Sequence, residues 1–114
     1  MAVLVIFGAQ SMRAQNRIVI PDTKDYLVLT GDMHMHTIFS DANVWPETRV
    51  EECAAEGVEV LCITDHMEDR HNRMVNQGLF NCDRNKSYEI AAKRGKQLGV
   101  IVIHGGEETR RMPP

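Results

Sequence analysis

Three short, largely apolar runs, at 26–29, 58–63 and 100–103, each break off into residues that can hold a metal ion. Val28-Leu29 leads through Gly31-Asp32 into His34-Met35-His36, the second run ends in Thr64-Asp65-His66, and the third in His104-Gly105-Gly106-Glu107. Runs of this length, bounded by polar clusters, have the signature of buried strands. The segments between them read as helices. Trp45-Pro46-Glu47 opens the first, with proline tolerated in the first turn and glutamate suited to the positive end of the dipole. Val50, Cys53 and Ala54 follow at helical spacing, and Gly57 supplies a stop. Ser87 is placed to cap a second helix with Tyr88, Ala91, Ala92, Gly95 and Leu98 on its inner face and Gly99 at its end. The alternation of strand and helix implies an α/β fold, a parallel sheet joined by right-handed crossovers. In such folds the site lies at the carboxyl ends of the strands, where all three polar clusters fall.

The chemistry of those clusters narrows the reading. In an extended segment, side chains two apart leave the same face, so His34 and His36 can reach one point in space. Asp41 follows at a turn, close enough for its carboxylate to join them. Imidazole with carboxylate is a ligand set suited to zinc, manganese or iron. Taken alone, an H-x-H is more often one surface histidine and one hydrogen-bonded histidine on an ordinary strand. Three strand ends delivering H-x-H, D-H and G-G-E to one rim carry the metal reading. Met33 and Met35 alternate with the histidines and are expected to pack on the opposite face.

At 114 residues the chain holds one domain at most. A formal net charge of -3 and scattered basic residues give no footprint for nucleic acid or an anionic membrane. Cys53, Cys62 and Cys82 lack C-x-x-C spacing, which argues against a zinc ribbon or a disulfide framework, and the first two sit at apolar positions as small core residues. The apolar run 2–9 is too short to span a bilayer. With Gln10-Ser11 and Met12-Arg13-Ala14 after it, residues 1–15 read as the tail of a secretory signal peptide cleaved after Ala14, although a basic n-region is missing. A first strand of the domain is the alternative. The reading leans to a periplasmic or secreted protein, otherwise a cytoplasmic one, with residues 16–114 forming the domain. Residues 67–84 show no period and read as a long loop.

The three clusters resemble the motifs of the PHP family, named for its polymerase and histidinol phosphatase members. Asp32-Met33-His34-Met35-His36-Thr37 with Ser40-Asp41 looks like the first motif, Thr64-Asp65-His66 like the second, and Gly105-Gly106-Glu107 like the third. Phe39-Ser40-Asp41, Val44-Trp45-Pro46, Arg49-Val50-Glu51-Glu52 and Glu108-Thr109-Arg110 look closest to exported bacterial phosphoesterases of that family. The resemblance implies a distorted barrel of about seven β/α units, of which this chain holds about the first three. It implies two or three divalent ions (zinc, manganese or iron): His34 and His36 on one, Glu107 bridging two, Asp41 and His66 on the outer one. Asp65 would orient a histidine from behind the ligands, and Arg110 would meet a substrate phosphate, or else be a solvated arginine near the chain's end.

The implied activity is hydrolysis of a small-molecule phosphate ester by hydroxide generated on the metals. The family completes its ligand set with later histidines and a D-x-H motif that this sequence lacks, so the chain reads as the N-terminal piece of a larger protein. Two other readings remain: a metal-dependent hydrolase of another substrate class, as in the amidohydrolases, and an inactive fragment or metal-binding accessory piece. His71, Asp83 and Glu89 read as solvated side chains, His104 as hydrogen-bonded to backbone, and Tyr88 and Trp45 as packing residues.

Overall fold

A computed structural model describes residues 19–67, 83 and 85–108 of the chain. The expected N-terminal leader, most of the 67–84 loop with His71 and Cys82, and Arg110 lie outside the described residues. Strand β1 (Gly31–Met35), helix α1 (Pro46–Glu56), strand β2 (Val60–Ile63), helix α2 (Lys86–Leu98) and strand β3 (Ile101–His104) follow in order. The sheet runs β1-β2-β3 with both pairings parallel. This is the α/β arrangement expected from the alternation of apolar runs and helical segments.

The helices form where their end signals place them. Pro46 occupies the first position of α1, and Gly57 ends it at φ 79°, a left-handed conformation that lets its N–H reach the carbonyls of Ala54 and Cys53. Gly99 closes α2 in the same way at φ 76°. The start of α2 differs from expectation. Ser87 is buried inside the first turn rather than capping it, and Asn85 stands at the cap without a side-chain hydrogen bond. The chain enters through Asp83 instead, whose carbonyl accepts from Lys86 N–H (3.2 Å) and whose Oδ1 accepts from Asn85 N–H (2.9 Å).

Strand β1 begins later than the apolar run 26–29 suggests. Tyr26 and Leu27 are exposed, because the backbone there is satisfied locally. Thr23 and Tyr26 close a turn on each other, and Val28 N–H donates to Asp22 Oδ1 at 2.9 Å. Pairing starts where the Thr30 carbonyl accepts from Glu59 and Val60 N–H. Apolar character without a neighbouring strand does not make a strand.

Both helices pack on one face of β2. Val50 and Cys53 from α1, Ala91 from α2, Leu61 and Ile63 from β2, and Val100 form the buried core. Met35, Ala54, Val58 and Val102 pack against it. Alternation sends Val60 and Cys62 to the other face, and register puts Ile101 and Ile103 beside them. Those two isoleucines are exposed, so among the described residues no helix covers that face. Burial raises the Cys53 thiol to about 11, with Asp32 and Glu52 adding to the effect, which makes it an inert core group.

The seam between α2 and β3 is set by Gly95. A methyl there would stand 2.6 Å from the Val100 carbonyl oxygen and 2.6 Å from Val102 Cγ2. Gly95→Ala should therefore destabilise by about 1–3 kcal/mol through overpacking, outweighing the roughly 1 kcal/mol that alanine gains inside a helix. A lowered thermal midpoint is the expected result; an equal or higher one would mean that α2 can retreat from β3 at no cost.

Candidate metal centre

A bulge brings the two histidines together. Asp32 pairs with Leu61 and Met35 with Ile63, so β1 sets Met33 and His34 against the single residue Cys62. The ladder cannot use every amide of such a step, and His34 N–H donates instead to Asp32 Oδ1 at 3.1 Å. Bulges re-aim side chains, and this one has two effects. Met33 is turned out to solvent rather than packed, while Met35 stays on the core. The imidazoles of His34 and His36 stack with centroids 5.0 Å apart and Nε2 atoms 3.0 Å apart.

Beyond β1 the chain folds into a tight turn fixed by a buried carboxylate. Asp65 Oδ1 accepts from Thr37 N–H (2.7 Å) and Ser40 Oγ–H (2.6 Å), and Oδ2 accepts from Thr37 Oγ1–H (2.7 Å). Thr37, Ser40 and Asp65 are all buried. Asp65 is the residue expected to stand behind a histidine ligand. Its hydrogen bonds go to Thr37 and Ser40, in the turn that presents Asp41. Helix α1 adds a second brace: Arg49 Nε donates to the His36 carbonyl at 3.1 Å while Nη1 pairs with Glu52 at 3.0 Å.

Glu107 arrives by strand register. Past the ends of β2 and β3, His66 and Glu107 form an isolated parallel bridge in the register that β2 and β3 already keep. Met67 N–H donates to the Glu107 carbonyl (2.8 Å) and Glu107 N–H to the Asp65 carbonyl (3.2 Å). Gly105 permits this approach, since a Cβ there would meet Cys62 Sγ at 2.7 Å and the Ile63 carbonyl oxygen at 3.0 Å.

Two groups of ligand atoms result. His34 Nε2, His36 Nε2 and Glu107 Oε2 lie 2.8–3.0 Å from one another. His36, Asp41 and His66 form the second group, with His36 Nδ1 at 2.7 Å from Asp41 Oδ1 and His66 Nε2 at 3.3 Å from Asp41 Oδ2. Glu107 Oε1 is turned toward His66, 4.0 Å from its Nδ1. The donor set fits a divalent ion: within each group the ligand atoms lie no more than 4.8 Å apart, and all are imidazole nitrogens or carboxylate oxygens.

The electrostatics agree. Burial opposes the His36 cation, but the hydrogen bond and charge of Asp41, with Glu107 behind them, outweigh it and raise the pKa above its ordinary value. The hydrogen bond from His36 holds the Asp41 carboxyl low, against some desolvation. Negative charge is concentrated where a cation is wanted.

The structure thus gathers His34, His36, Asp41, His66 and Glu107 at one rim, with Asp65 directly beneath. His104 does not bond to backbone as expected; it stacks on Tyr88 with ring centroids 4.4 Å apart. Trp45 is half exposed and meets Phe39 edge-on at 6.1 Å. Thr37 and Arg49 were not legible as site supports. A threonine after H-x-H and an arginine one turn into a helix carry no signal until the turn is closed.

A three-stranded parallel β/α unit with a histidine–carboxylate rim defines an α/β protein with a candidate metal site. The PHP domain family model matches residues 32–109, which contain every one of these candidate residues, and the chain belongs to that family. A solved two-domain protein from Bacteroides vulgatus, containing a predicted PHP-like metal-dependent phosphoesterase, is 37% identical with a TM-score of 0.76. The match covers 92% of this chain and 29% of that one, so the chain spans under a third of that protein's length. No curated protein matches. Among the described residues, no helix is long and apolar enough to cross a membrane.

The turn offers a direct test. Asp65→Ala leaves three buried donors without their acceptor, each costing about 1–3 kcal/mol. A stability loss of about 3 kcal/mol or more in urea unfolding is expected; a loss below about 1 kcal/mol would show that Thr37 and Ser40 find other partners.

Proposed function

We propose that this chain contributes the first metal-ligating units of a phosphoesterase that hydrolyses a small-molecule phosphate ester. The observation that supports this best is the convergence of His34, His36 and Glu107 to within 2.8–3.0 Å of one another, beside the His36, Asp41 and His66 group. His34, His36 and Glu107 would hold one divalent ion, and Asp41 and His66 a second, with Glu107 between them. When bound, such ions supply Lewis acidity toward phosphoryl oxygens and bring the pKa of a water toward neutrality.

The protein's own residues do the rest. Asp65, Thr37 and Ser40 fix the turn that presents Asp41, and Arg49 pins the His36 backbone, so the ligands are set before substrate arrives. The buried Cys53 and Cys62, their thiols pushed up chiefly by desolvation, are unsuited to a covalent route. Zinc, manganese and iron all suit the donor set. Arg110 would supply a phosphate contact, and residues 1–15 an export signal.

The test is hydrolysis of a panel of phosphate esters, amides and lactones by the full-length protein, after chelation and re-addition of manganese or zinc. Phosphate-ester turnover that chelation removes and metal restores is expected, and His34→Ala or Glu107→Ala should lower it at least a hundredfold. Turnover that survives either substitution, or that is confined to amides or lactones, would overturn the reading.

A further inference from the structure

The two ligand groups are not independent, because one carboxylate faces both. Asp41 Oδ1 lies 2.7 Å from His36 Nδ1, and Asp41 Oδ2 lies 3.3 Å from His66 Nε2. Both ring nitrogens of His36 face a carboxylate, and an ion in the first group decides between them: it needs the lone pair of Nε2, which puts the proton on Nδ1, where Asp41 Oδ1 at 2.7 Å accepts it. With the proton there, the lone pair of a neutral His36 is left on Nε2. That atom is the one facing Glu107 Oε2 at 2.8 Å and His34 Nε2 at 3.0 Å. With an ion in the first group, the other tautomer would turn an N–H toward that ion and leave two acceptors facing each other at Asp41.

The geometry points to Asp41 as the coupling element of the site: one oxygen fixes the tautomer of His36 for an ion held by the first group, while the other serves an ion held with His66. Asp41 is thus a positioning residue for the first group as well as a ligand of the second. The buried Asp65 hydrogen bonds hold the turn that aims both of its oxygens, and Arg49 on the His36 carbonyl holds the backbone that carries the ring. This rests on the metal reading of the site and adds a prediction that the reading alone does not make. If Asp41 were only a ligand of the second group, its loss and the loss of His66 would have the same effect on the first ion.

The experiment is calorimetric titration of the chelated full-length protein with zinc alone, for wild type, His34→Ala, His66→Ala, Asp41→Ala and Asp41→Asn. The ion whose binding His34→Ala removes identifies the first group. Asp41→Ala should weaken that ion about 10- to 100-fold, the range seen when a carboxylate behind a histidine ligand is lost. His66→Ala should leave it within about threefold, with the second ion lost in both variants. Asp41→Asn keeps a carbonyl oxygen able to accept from His36 Nδ1–H, so it should restore the first ion while still lacking the second. That rescue separates orientation of His36 from general loss of folding. Equal first-ion affinities for Asp41→Ala and His66→Ala would overturn the coupling and leave the metal site standing. Failure of Asp41→Asn to recover the first ion would also overturn it. No zinc binding by wild type would remove the metal reading itself, and the coupling with it.

Discussion

Everything at the rim depends on β2 being paired in parallel on both sides. Its N–H and C=O groups bind β1 on one flank and β3 on the other, and the three strands therefore end at the same level. Parallel pairing is what turns residues far apart in sequence into neighbours, since each strand's last residues emerge on the same side. The core beneath, with Leu61 and Ile63 pressed against Val50, Cys53 and Ala91, keeps that strand from tilting. The helices contribute no residue to either group; they cover one face of the sheet.

A second layer of constraint is polar. Asp65 is the residue before His66, and its buried carboxylate ties the β2 end to the turn after β1 through three hydrogen bonds. A buried carboxylate is costly unless fully satisfied. Here the satisfaction comes from backbone and hydroxyl donors on Thr37 and Ser40, so the cost is met by the loop whose position matters. Asp41 inherits its placement from that arrangement, and His36 inherits its ring orientation from Asp41.

How much of this was legible in the sequence follows from which forces act locally. The start of α1 and the C-terminal ends of both helices were readable because Pro46, Gly57 and Gly99 act through their own backbone, while the start of α2 was not. That His34, His36, Asp41, His66 and Glu107 share one rim was readable because they lie near where the apolar runs break off. The start of β1 was not: Tyr26 and Leu27 look like a strand, yet whether a strand forms depends on a neighbour, and Asp22 and Thr23 satisfy that backbone first. The bulge was equally hidden, since it is a mismatch between β1 and β2 and a property of neither alone. It sent Met33 outward against a correct-looking alternation. The partners of Asp65 were hidden too, since Thr37 and Ser40 come beside it only in the folded chain.

The contact between His34 and Glu107 spans 73 residues of sequence and closes to 2.9 Å. Bringing two points that far apart together costs a free chain about 4 kcal/mol of closure entropy. No partly folded state containing only the first two strands can hold that pair. The first group is therefore absent until β3 docks and present once it has, which makes it a reporter of complete sheet assembly. An ion captured there would act as a clasp between the β1 end and the segment that follows β3.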